Sequence, residues 1–214
     1  MNISDIIGPI MVGPSSSHTA GAVRLAHLAK NVFGQTITSA ELYLHGSFAQ
    51  TYKGHGTDLA LVAGLLGYKP SDERIPDSFE YARQAGLNFC IRTIDLGKLT
   101  HPNTVKFVMH SADGSIGTVI GSSLGGGMVK ISQVDDFIVD FNGQSPVLLT
   151  QHKDRPGIIA QVTGILATQQ INIAQMRVFR QTKGGMAAMV LEIDQPVDHM
   201  TLQVISKIAD IHKI

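Results

Sequence analysis

The sequence has one cysteine, no tryptophan and no surplus of either charge. Cys90 alone can close no intramolecular disulfide and cannot hold an iron–sulfur cluster or a structural zinc within this chain. It reads as a small buried thiol. Lysine and arginine number 17, as do aspartate and glutamate, so the net charge is zero. Phosphate recognition needs a basic surplus, so no nucleic-acid partner is expected. The longest apolar stretch, Leu59 to Leu66, contains a glycine and falls far short of the ~20 residues of a membrane span. No membrane partner is expected. No lysine or arginine precedes Arg24, so no secretory signal is visible, and with a lone thiol the cytoplasm is the expected compartment.

Of the 214 residues, 43% are hydrophobic and 16% charged, which suits a buried core and excludes disorder. An apolar lead-in over 1–14 ends in Gly13-Pro14. Ala22, Leu25, Ala26, Ala29, Val32 and Phe33 then recur at helical spacing, with Gly34 as the stop. Thr38, Ala40, Leu42 and Leu44 alternate with polar neighbours, as in a strand with one buried face. Residues 59–66 read as a buried helix with Thr57 near its cap, 70–78 as a loop and 77–85 as a short helix. Segments 88–95, 103–111, 115–121 and 127–141 are strand-like. Asn142 to Pro146 form a linker, and the pattern restarts. A strand at 147–151, a helix opened by Asp154-Arg155-Pro156-Gly157 with Asp154 or Arg155 near the cap and Pro156 in the first turn, strands at 171–180 and 186–194, a helix near 198–208 and a terminal strand give the order βαββαβ. That is a ferredoxin-like unit. The expected fold is α+β, with domains over 1–143 and 147–214.

Three polar clusters could carry chemistry. Ser15-Ser16-Ser17-His18-Thr19 lies where loop becomes helix, and unpaired N–H groups there attract carboxylate or phosphate. His18 adds a group that titrates near neutrality. Gly54-His55-Gly56-Thr57-Asp58 sets a second histidine at a helix start between glycines that let a ligand approach. His101-Pro102-Asn103-Thr104 opens a strand and reads equally well as a turn. Gly121 to Gly127 is a tight glycine-rich turn without a P-loop or dinucleotide pattern. His27, His110, His152, His199 and His212 read as surface or packing. Two histidines at separate junctions suggest a shared pocket holding an anionic head beside an imidazole.

Taken together, these clusters and Gly125-Gly126-Gly127 resemble the β chain of the iron–sulfur L-serine dehydratases. Residues 147–214 resemble an ACT domain, through Asp154-Arg155-Pro156-Gly157 and Asn172-Ile173. The resemblance implies conversion of L-serine to pyruvate and ammonia with a separate α chain, whose cysteines carry a [4Fe–4S] cluster acting as Lewis acid on the substrate oxygens. It implies catalytic roles for His18 and His55, without deciding which is the base, and substrate contacts for Ser16, Ser17, Thr19, Thr57 and Asn103. The ACT unit is expected to pair into a homodimer, giving an α2β2-type assembly, with serine as effector near Asp154, Gly157 and Asn172. The first domain also resembles the allosteric substrate-binding domain of some phosphoglycerate dehydrogenases. That leaves a non-catalytic regulatory module as the alternative.

Overall fold

A computed structural model describes residues 10–214; of the expected lead-in, 1–9 lie outside the described residues. The described residues divide into two compact units, one of 10–135 with 140–142 and one of 136–139 with 143–214. The fold class is α+β, with two sheets.

The first unit opens with a π-helical turn, Ser16–Ala20, that runs into α1, Gly21–Phe33. Gly34 ends α1 in the left-handed conformation, as expected of a C-terminal glycine. Then follow β1 Ile37–Leu44, α2 Gly46–Thr51, α3 Thr57–Leu66, α4 Ser78–Gln84 and β2 Asn88–Thr93. The strands β3 Thr104–Ser111, β4 Ile116–Gly125, β5 Met128–Val134 and β6 Phe137–Phe141 complete a six-stranded sheet of order β2-β1-β3-β4-β5-β6. Only a crossover can make neighbours parallel, and the path through α2, α3 and α4 brings β2 parallel to β1.

The period-2 pattern of β1 does its work here. Ala40, Leu42 and Leu44 are buried and face Met109, Phe107 and Val105 of β3. Leu25 and Ala29 of α1 are also fully buried. The small side of Gly121 on β4 admits Leu25, whose Cδ1 would lie 2.7 Å from a Cβ there. All sides of α3 from Ala60 to Leu65 are buried, as its unbroken apolar run requires.

Several expectations need correction. The 127–141 segment is two strands, because Asp135 turns the chain at φ 50. Gly121 to Gly125 are not loop but the end of β4, and only Gly125, Gly126 and Gly127, all at positive φ, make the turn. Residues 46–51, too short for an amphipathic stripe, form α2, which the pattern did not show. Cys90 is half-buried on β2 rather than buried.

In the second unit β7 Val147–Lys153, α5 Ile158–Thr168, β8 Ile173–Arg180, β9 Met186–Ile193, α6 His199–Ser206 and β10 Ile211–Lys213 follow the βαββαβ order. The sheet order β10-β7-β9-β8 is that of the ferredoxin-like fold. Leu148, Val162, Leu166, Met189, Leu191 and Ile205 form its core. The opening of α5 differs from expectation. Gly157, at φ 93, is the residue before the helix, so Pro156 precedes it instead of lying in its first turn. The Asp154 carboxylate does not cap it either; it accepts the Gly184 N–H at 3.0 Å and faces Arg180 at 3.3 Å.

Candidate active site

The π-helical turn is built by serines. Ser15 accepts the His18 N–H through its hydroxyl at 3.1 Å, and its carbonyl accepts the Thr19 N–H at 2.9 Å. Such turns depart from α geometry at a local cost and recur at functional sites. The turn is anchored on β4, where the Ser123 hydroxyl donates to the Ser17 carbonyl at 2.9 Å. A Cβ on Gly21 would collide with that same hydroxyl.

His55 arrives from the loop before α3. Its ring and that of His18 stand with centroids 4.8 Å apart and planes inclined by 36°. The Thr19 hydroxyl donates to the His55 carbonyl at 3.3 Å, tying one loop to the other. His55 Nδ1 lies 3.3 Å from the Thr51 carbonyl, which can only accept. Nδ1 therefore carries the proton of the neutral ring and Nε2 the lone pair. Both His18 nitrogens face hydroxyls, Ser17 Oγ at 3.0 Å and Ser47 Oγ at 3.2 Å. Burial first, and the charge of His55 second, hold the His18 imidazole below its ordinary 6.5.

The third cluster is tied through its backbone to β4 and α2, the elements that hold the other two. The Ser123 N–H donates to the Asn103 carbonyl at 2.9 Å, and the Phe48 N–H to the Pro102 carbonyl at 3.4 Å. Asn103 Oδ1 and Thr57 Oγ1 are buried without a hydrogen-bond partner. Native interiors seldom leave such atoms unpaired, and a ligand group is one way to satisfy them.

The structure thus brings His18, His55 and Ser17 together. It uses Thr19 differently from expectation: that side chain is 2% exposed and its hydroxyl is engaged by the His55 carbonyl. Sequence reasoning missed His45, Ser47 and Ser123. His45 follows β1, gives its N–H to the Thr104 carbonyl at 3.0 Å and accepts the Leu96 N–H on Nδ1 at 3.1 Å. The signal was His45-Gly46-Ser47 after an alternating strand, a glycine between two polar residues at a strand end. In the second unit, Asp154 bonds Gly184 as described and Asn172 donates to Asp194 at 2.8 Å. Gly157 has the backbone conformation noted above. His152 is buried at 2% exposure, a packing residue as read.

Among the described residues no three His, Cys, Asp or Glu side chains gather to hold a metal. One half-buried thiol on β2 does not fit a four-thiolate cluster. Among the described residues no helix is long and apolar enough to cross a membrane.

Two loops carrying serines and paired imidazoles on a mixed sheet, followed by a ferredoxin-like unit, define a class that comparison with known proteins identifies. A family model for the serine dehydratase beta chain matches residues 3–134, and one for the AHAS small subunit-like ACT domain matches 148–214. The chain belongs to the serine dehydratase beta chain family. It is 43% identical over 193 residues to the L-serine dehydratase beta chain of Peptoniphilus asaccharolyticus, covering 90% of this chain and 87% of that one. To the probable L-serine dehydratase beta chain of Bacillus subtilis (strain 168) it is 39% identical over 213 residues, covering 100% and 96%. The D-3-phosphoglycerate dehydrogenase of Synechocystis sp. is 28% identical over 194 residues, 89% of this chain but 34% of that protein.

Proposed function

We propose that this chain is the β subunit of a two-chain L-serine dehydratase, releasing pyruvate and ammonia with an α chain that carries the [4Fe–4S] cluster. Two imidazoles 4.8 Å apart among serine hydroxyls are the observation that carries the reading. The α-proton of serine is weakly acidic and the β-hydroxyl leaves poorly. His55 is the base in this reading, because its Nδ1 is committed to the Thr51 carbonyl and its Nε2 has the lone pair. Taking the α-proton there and expelling the hydroxyl as water leaves an enamine. That tautomerises to an imine and hydrolyses.

His18 orients. Its two ring nitrogens lie on the hydroxyls of Ser17 and Ser47, so it holds those side chains in place, and the hydroxyls of Ser16 and Ser17 bond the substrate carboxylate. Asn103 Oδ1 and Thr57 Oγ1, buried and unpaired, are further contacts for the substrate's polar groups. Residues 1–143 serve as the substrate-site half and 147–214 as the regulatory half. β8 supports pairing of the ACT unit, as a sheet edge with Met176 and Val178 exposed at 44% and 39%. Serine near Asp154, Gly157 and Asn172 is the effector that this pairing would take, and calorimetry of the full chain with serine tests it.

The likeness to a D-3-phosphoglycerate dehydrogenase over 89% of the chain keeps the regulatory module as the second reading. One experiment separates them. Anaerobic co-expression with the cysteine-bearing α chain of a relative should yield equal pyruvate and ammonia from L-serine. Tight serine binding without pyruvate in any pairing would overturn the dehydratase reading.

A further inference from the structure

We infer that Ser47 is a positioning residue for this deamination, its hydroxyl fixing the His18 imidazole relative to His55. The inference rests on the roles given to the two histidines above and extends them to a residue on a different element.

Ser17, the other partner of the His18 ring, is its chain neighbour and moves with the same turn, so it cannot set the ring against anything else. Ser47 can. It lies on α2, six residues long, and its Oγ is 3.2 Å from His18 Nε2. The far end of α2 holds the other imidazole, through the Thr51 carbonyl and His55 Nδ1 at 3.3 Å. Within the helix the Thr51 hydroxyl donates to the Ser47 carbonyl at 2.8 Å, linking the two holding points. Phe48, fully buried, packs edge-on against the His18 ring with centroids 5.1 Å apart. The start of α2 is fixed in its turn. Gly46 sits at φ +58, where a Cβ would lie 2.7 Å from Pro102 Cα, so only glycine fits. One short helix therefore registers both rings, and Ser47 is its polar grip on His18. A hydroxyl suits that grip because it accepts from the charged ring and donates to the neutral one.

Histidine-labelled full chain, followed by NMR against pH, tests this. In Ser47→Ala the imidazolium loses the acceptor for its Nε2–H. Bonds to a charged group are the stronger kind, so the His18 midpoint should fall below the wild-type value. Ser47→Thr, which keeps a hydroxyl, should restore it, and His110 and His152 should not move. In the αβ complex Ser47→Ala should lower kcat about tenfold with KM for serine within about threefold, as for lost supporting contacts, and Ser47→Thr should recover most of the rate. A wild-type His18 midpoint in Ser47→Ala overturns the positioning role. If Ser47→Ala does not fold, Ser47→Cys, with its weaker hydrogen bond, should displace the midpoint likewise, and an unmoved one overturns the role. The deamination reading fails separately, on absent pyruvate from the wild-type complex.

Discussion

The Thr19 hydroxyl donates to the backbone carbonyl of His55 at 3.3 Å, so the loop that carries one imidazole is bonded to the loop that carries the other. Thr19 itself is 2% exposed. Thr19→Val keeps the shape and removes the donor, leaving the half-buried His55 carbonyl without that bond. That should cost about 0.5–1.5 kcal/mol of stability. Urea denaturation of the variant against wild type measures it.

Both histidines belong to the chemistry in this reading. His18→Ala and His55→Ala in the αβ complex should each lower kcat by more than tenfold, a general acid–base group being worth ~10²–10⁴-fold. Assembly should persist, as seen by size-exclusion chromatography. Near-normal turnover in both variants would remove them from the reaction.

Helix packing in the first unit hinges on a missing side chain. A Cβ on Gly64 of α3 would strike the Val23 carbonyl and Ala26 of α1. Gly64→Ala should therefore destabilise by about 1–3 kcal/mol, the usual cost of overpacking. Gly164 of α5 has nothing within 4 Å of that position. There the same change should stabilise by about 0.5–1 kcal/mol, because alanine loses less backbone freedom on helix formation. Thermal denaturation of the two variants should move in opposite directions.

Acid should weaken the fold in a defined window. Burial is the largest cause holding the imidazoles of His18, His27 and His152 below 6.5. Between 6.5 and those lowered values the unfolded chain binds protons that the native chain declines. Stability is complete above that window and falls as pH falls through it. The denaturation midpoint at pH 5.5 should lie below that at pH 7.5. An unchanged midpoint would show that these rings titrate alike in both states.

In the second unit α6 depends on its cap. The Asp198 carboxylate accepts the Thr201 N–H at 2.8 Å and the Thr201 hydroxyl at 2.9 Å. Those bonds hold its carboxyl below the usual range. Asp198→Ala should cost about 0.5–2 kcal/mol. Urea denaturation gives the measure, and Asp198→Asn should recover much of the loss.

The elements most legible in the sequence were those whose burial repeats. Alternation in Thr38 to Leu44 matched a strand with Ala40, Leu42 and Leu44 buried. The unbroken run at 59–66 matched a helix buried on all sides, and the second unit's element order was readable throughout. What escaped has local causes. Six residues of α2 hold less than two turns, too few for a periodic signal. Asp154 carries the look of a helix cap, yet its carboxylate is drawn to a hairpin N–H thirty residues on.

Residue types near a loop-to-helix junction, read locally, were enough to single out His18 and His55. Chemistry of that kind is written in composition and order: serines that cap, glycines that yield, imidazoles that titrate. Which nitrogen holds a proton, and what grips each ring, is not written there. Thr51, four residues before His55, is a local partner, but Ser47 and Ser123 meet the His18 turn only through the crossover from β1 to β2 and the return of β4. A hydrogen bond forms at about 3 Å, and no local sequence pattern specifies a distance between segments that the fold alone makes neighbours.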